Sequence, residues 1–160
     1  MKKIFLLSVI ICSLSAINAD AATSYDVQEF NRESQLGLDA ISSKNYEKAF
    51  KHLDKAAKLG NKMAQFSLAL LYIEGFGVEK DYTKAYLWLN VAAEAKEKKW
   101  REMRDKVHNV LTVEQQIALE PRVSKYIEKY GAETQEVSCY RRKITGSNRK
   151  LMSCSKLLDR

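Results

Sequence analysis

The chain has 160 residues, three cysteines, one proline and a formal charge of +7. That length suits one domain with a sizeable core, and the richness in Ala, Leu, Lys and Glu favours helix over sheet. Beyond the N-terminal region, no apolar run is long enough to cross a bilayer.

Met1-Lys2-Lys3 opens a cationic start, and Ile4 to Ala16 is an apolar run followed by the small residues of Ala19-Asp20-Ala21. This is the layout of a secretory leader, so residues 1–21 are expected to be a signal peptide and are set aside from the fold. A processed lipid-bearing Cys12 is not expected, because the large Ile11 precedes it. The expectation is therefore a bacterial protein of the periplasm or the exterior, with no integral membrane segment once the leader is removed. The charge is unevenly placed. From Val137 onward seven basic residues stand against Asp159 alone, while residues 22–136 hold equal numbers of basic and acidic groups. An electrostatic partner is thus to be sought at the C-terminal end, and the compartment disfavours nucleic acid.

From Glu29 to Ala93 the chain repeats itself. Asn45-Tyr-Glu-Lys-Ala-Phe-Lys-His-Leu-Asp-Lys-Ala-Ala57 aligns without gaps on Asp81-Tyr-Thr-Lys-Ala-Tyr-Leu-Trp-Leu-Asn-Val-Ala-Ala93. The segments before them align at a spacing shorter by four residues, and the difference is the loop holding Gly75-Phe76-Gly77-Val78. Each unit reads as two antiparallel helices. Gly75 supplies a left-handed end to the first helix of the second unit. Gly77 permits another bend, Phe76 and Val78 fill the gap between the helices, and Asp81 caps the next helix. In the first unit Ser42, Ser43 and Asn45 handle a shorter turn. The alanines at 49, 56, 57, 85, 92 and 93 let helices approach closely.

The stretch from Ala64 to Ala93 resembles a Sel-1-like repeat, a relative of the tetratricopeptide repeat. The matching residues include Ala64, Leu68, Tyr72, Gly75, Gly77, Val78, Asp81, Lys84, Ala85, Trp88, Ala92 and Ala93. Ala69 and Lys96 stand where that family usually has glycine. The first unit matches less well, lacks the Gly-x-Gly loop and carries His52 in the tryptophan slot. The resemblance implies an all-α, short right-handed solenoid of helical hairpins and a role in binding protein or peptide. It also implies a groove lined by the first helix of each unit, where Met63, Phe66, Leu70 and Ile73 form an apolar stripe. The third helical pair or the C-terminal hairpin could instead pack over that stripe.

Trp100, Met103, Val107, Val110 and Leu111 share one helical face. Thr112-x-x-Gln115 reads as a capping box opening a helix whose apolar face is Ile117, Val123, Tyr126, Ile127 and Tyr130. Pro121 should kink or split that helix. The expected organisation is repeat one at about 29–60, repeat two at about 62–95 and a divergent capping pair at about 97–131, together a domain over 22–131. A basic tail then covers 132–160. Within it, a two-residue type II′ turn at Gly146-Ser147 sets a hairpin over 139–154. That register places Ile144 opposite Arg149, Arg142 opposite Leu151 and Cys139 opposite Cys154, so these two cysteines are expected to be bonded.

The sequence carries none of the common catalytic signatures. The sequence holds no phosphate-binding glycine loop, no His-Glu-x-x-His and no Gly-x-Ser-x-Gly. His52 and His108 read as packing or partly exposed residues. Glu94, Glu97 and Glu102 read as a solvated helix face among lysines. No metal or cofactor is expected. Some cysteine-rich relatives of the repeat family are linked to β-lactam binding, but their repeated cysteine pairs are missing here. The reading is thus a non-catalytic exported adaptor for an unknown protein or peptide partner. The alternative is an envelope-surface module in which the basic hairpin, with Arg141, Arg142, Lys143, Arg149 and Lys150, docks on anionic lipid or cell-wall material.

Overall fold

The computed structural model describes residues 25–157, so the leader expected over 1–21 lies outside the described residues. Within them, helix α1 covers residues 25–42 and pairs through a tight turn with α2, Tyr46–Lys58. The turn is closed by Lys44 in the left-handed region, φ 59°, and by the Asn45 amide donating to the Ala40 carbonyl at 2.8 Å. The Asn45 side chain then accepts from the Lys48 amide and caps α2.

The second pair is α3, Lys62–Glu74, and α4, Tyr82–Ala92. Gly75 ends α3 with φ 75°, as its expected role requires. Gly77 is also left-handed, φ 69°, and it answers to a second demand. A Cβ there would lie 2.3 Å from the Tyr46 carbonyl carbon, so the loop rests directly on the backbone that opens α2. Phe76 lies outside the interhelical gap; its ring stacks on Tyr46 with centroids 4.5 Å apart. Only Val78 packs on the core. Asp81 caps α4 by accepting from the Lys84 amide at 2.8 Å.

One apolar cluster runs through both pairs. Leu53, Leu68 and Leu89 have no exposed surface, and neither do Ala49, Ala56, Ala57, Ala64, Ala69 and Ala85. The alanines bring helix backbones together, and the leucines and Trp88 fill the space between. Burial of each such leucine contributes roughly 2 kcal/mol.

A 3₁₀ turn, Ala93–Ala95, follows α4 and ends on Lys96 with φ 60°. The family's closing glycine is thus replaced by a lysine that still takes the left-handed conformation. Helix α5, Lys98–His108, buries Trp100 and Val107. Val110 departs from the expected face and is 61% exposed, because α5 has already ended. Helix α6, Val113–Tyr130, opens with the expected capping box, Thr112 and Gln115 each bonded to the other's backbone amide.

Two expectations for α6 are corrected. The helix is not split at Pro121 but runs on to Tyr130, and Ile117, whose carbonyl loses its partner amide, is an exposed residue. The apolar side is also rotated. Ile117 is 64% exposed, while Leu119, buried to 2%, joins Leu87 and Leu111. Contact with α4 chooses the stripe Leu119, Val123, Tyr126 and Tyr130, whose spacings of four, three and four residues keep to one helical face. Tyr126 and Tyr130 both pack against Trp88, at 5.3 and 5.1 Å.

Strands β1, Val137–Lys143, and β2, Lys150–Lys156, form an antiparallel hairpin in the expected register, with Arg142 opposite Leu151 and Cys139 opposite Cys154. The Ile144 amide donates to the Arg149 carbonyl at 3.1 Å, and Cys139 and Cys154 are disulfide-bonded. The turn differs from type II′. The Ser147 amide donates to the Ile144 carbonyl, so Thr145 and Gly146 are the central pair, with Gly146 at φ 77°. A positive φ at the third turn residue is a type II feature. The strand register is unchanged, because the turn shifts within a loop that Ile144 and Arg149 still close.

Candidate functional site

Helix α3 organises the surface. Met63, Ser67, Leu70 and Glu74 fall on one side of it, since steps of four, three and four residues return to the same face. At the Glu74 end this face forms one wall of a cleft of about 250 Å³. Ile41 of α1, Tyr46 of α2 and Phe76 of the glycine loop supply the other walls. Leu70 and Ile41 are half-buried and Phe76 is 43% exposed. The result is an apolar hollow with a single carboxylate at its rim.

At the Met63 end the same face opens into a second cleft, of about 320 Å³. Trp100 and Met152 floor it, Leu151 stands at its side, and Glu97, Lys99, Arg149 and Lys150 rim it. The hairpin is seated here by its inward face. Cys139, Cys154 and Met152 pack with Phe66 against Trp100, Ala92 and Ala95, and Phe66 stacks on Trp100 at 5.1 Å. Arg141 reaches Glu97 at 3.2 Å.

The stripe of Met63, Phe66, Leu70 and Ile73 is therefore divided. The hairpin and Trp100 cover Phe66, Ile73 packs on the main core, and Met63 and Leu70 each line a cleft. The residues matching the repeat pattern serve packing: Leu68, Ala85 and Ala92 have no exposed surface, and Tyr72, Trp88 and Ala93 have 9% or less. Of the basic residues, Arg141 is paired with Glu97, whereas Arg149 and Lys150 make no ion pair among the described residues.

Glu94 departs from the solvated helix face expected of it. It accepts from the fully buried Lys62 Nζ at 2.7 Å and from the Ala132 amide at 2.9 Å. It thereby ties the start of α3 to the linker before the hairpin. Gln65, also fully buried, donates to the carbonyls of Ala57 and Tyr130 and makes a second tie between the repeats and α6. Burial of its ammonium group pushes the Lys62 pKa down, against the pull of the Glu94 bond and charge.

His52 Nδ1 lies 2.7 Å from Glu33 Oε2. That bond lowers the Glu33 pKa against the effect of its burial, with help from the Lys55, His52 and Arg32 charges. Sequence reasoning missed Glu33, Lys62 and Gln65. The one available signal was their polarity at positions facing the neighbouring helix.

His108 packs against Tyr86 with centroids 5.5 Å apart, beside a further hollow of about 370 Å³ lined by Gln116, Glu120 and Val123. Among the described residues no group of His, Cys, Asp and Glu is arranged to hold a metal ion, and no helix is long and apolar enough to cross a membrane.

Two stacked helical hairpins, each turned by a left-handed residue after its first helix, Lys44 and Gly75, define a helical-repeat protein. The Sel1 repeat family model matches residues 34–61 and 62–96, so these residues carry two Sel1 repeats. Such repeats generally mediate contacts between proteins. The fold is similar to that of a protective antigen present in uropathogenic Escherichia coli strains and described as displaying an SLR fold. The two share 29% identity and a TM-score of 0.58 over 72% of this chain. The chain spans 27% of that structure's length. Comparison with curated proteins finds no match.

Proposed function

We propose that the chain is an exported, non-catalytic adaptor that binds a protein or peptide segment on the open face of α3. The cleft bounded by Ile41, Tyr46, Leu70 and Phe76 carries this reading, because it leaves apolar side chains accessible on the repeat units themselves. Export is supported by the leader-like residues 1–21 and by a disulfide between the two cysteines that follow them.

The test compares immobilised wild-type protein with Leu70→Asp in capture of partners from an envelope extract. Partners held by the wild type and lost by Leu70→Asp, with unchanged helical circular dichroism, are the expected result. Equal capture by both overturns the cleft as the binding surface, and turnover of any substrate overturns the non-catalytic part.

A second reading rests on the outward face of the hairpin. Tyr140, Ile144 and Leu151 are 53%, 37% and 54% exposed there, beside Arg142. Apolar side chains set among cations suit an anionic envelope surface. Flotation with anionic vesicles that is lost in Tyr140→Ser/Leu151→Ser, while capture on the α3 face persists, would favour that module.

A further inference from the structure

The two clefts open on one face of α3 and make a two-part track, with the buried Ser67 between them. Leu70 and Met63 are seven residues apart on one helix face, about 10 Å at the helical rise. Glu74 extends the track at one end, and Glu97 with the cations Lys99, Arg149 and Lys150 frames the other. Glu74 and these three cations make no ion pair among the described residues, while the nearby Glu97 is engaged by Arg141. The track is therefore apolar at its two openings, negative at the glycine-loop end and net positive at the hairpin end.

Resting on the adaptor reading, we propose that this track binds an extended, polyproline-like peptide with apolar side chains at positions i and i+3 and acidic residues beyond the second. A polyproline II segment repeats every three residues and rises about 9 Å over them. Its i and i+3 side chains point the same way at nearly the spacing between Leu70 and Met63. One side chain enters the hollow of Ile41, Tyr46 and Phe76. The other enters the hollow of Met63, Trp100 and Met152, whose unbranched methionines adapt to differing shapes. The acidic residues then meet Arg149, Lys150 and Lys99. The hairpin supplies half of this site, so the disulfide that closes it holds the cationic end in place.

The test uses a fluorescent peptide, Lys-Ser-Leu-Pro-Pro-Leu-Glu-Glu, in anisotropy titrations at low and physiological salt. Binding is expected to weaken about tenfold when the glutamates become glutamines, and by a similar factor in Arg149→Glu/Lys150→Glu. That double variant should prefer the peptide ending in Lys-Lys, a gain that a merely unfolded hairpin would not give. Leu70→Asp should abolish binding of every version.

Affinity indifferent to the acidic residues overturns the proposal. So does failure of the peptide to bind, and the adaptor reading then stands or falls separately on the Leu70-dependent capture described above. Anionic vesicles competing for the same Arg149 and Lys150 without any effect of Leu70→Asp would assign the cations to a lipid surface and likewise overturn it.

Discussion

Lys62 has no exposed surface, and its ammonium group meets the Val91 carbonyl and the Glu94 carboxylate. Removing one member of such a pair leaves the other uncompensated. Glu94→Ala should cost about 3 kcal/mol in urea unfolding, and adding Lys62→Met should restore much of that by replacing the stranded charge with an apolar chain. Glu33 gives the corresponding pH response. Its carboxyl is held below its ordinary value, chiefly by the His52 bond. The unfolded chain therefore takes up the proton first as pH falls. Glu33's contribution is complete above the ordinary glutamate range and is lost as pH drops through the lowered folded value. Stability measured from pH 7 to pH 3 should fall less steeply in Glu33→Gln, although that variant starts from a lower plateau.

At the scale of elements, α6 carries an avoidable defect. Pro121 is exposed within an unbroken helix and removes the bond its amide would make to the Ile117 carbonyl. Pro121→Ala should raise the thermal midpoint, with a gain of about 1–3 kcal/mol. The hairpin is governed by its crosslink, which spans 15 residues. Closing a loop of that length stabilises it locally by about 3 kcal/mol. Reduction should leave amide-exchange protection in α2 to α4 unchanged and accelerate exchange at Ile144 and Ser147, whose amides close the turn. Equal acceleration in the repeats would show that the hairpin supports the whole body rather than resting on it.

For the molecule as a whole, legibility followed the reach of the interactions. The repeat, the capping residues Asp81 and Thr112 and the hairpin register were readable because each depends on local spacing or on a bond between marked residues. Leu119 was missed because the apolar residues of α6 surround more of the helix than one face needs, and only the partner helix selects among them. Lys62 and Glu94 lie 32 positions apart in charge-rich surroundings, so nothing local separated them from surface ions. The stripe on α3 was visible as residues. Its division into a covered middle and two open ends depends on where a distant hairpin comes to rest. The covering of Phe66 is the outcome in which the hairpin packs over the stripe, whereas Glu94 in solvent was a misreading of a long-range pair.

The two indole rings are stationed in different districts. Trp88 sits where the repeats meet the tyrosines of α6, and Trp100 lies beneath the crosslinked strands. A sulfur–sulfur bridge quenches a neighbouring indole's emission, so Trp100 should be dim and should brighten when the bridge is cut, while Trp88 keeps its colour. Replacing either ring with phenylalanine would give a molecule with one built-in lamp, able to time the opening of one district without reporting on the other.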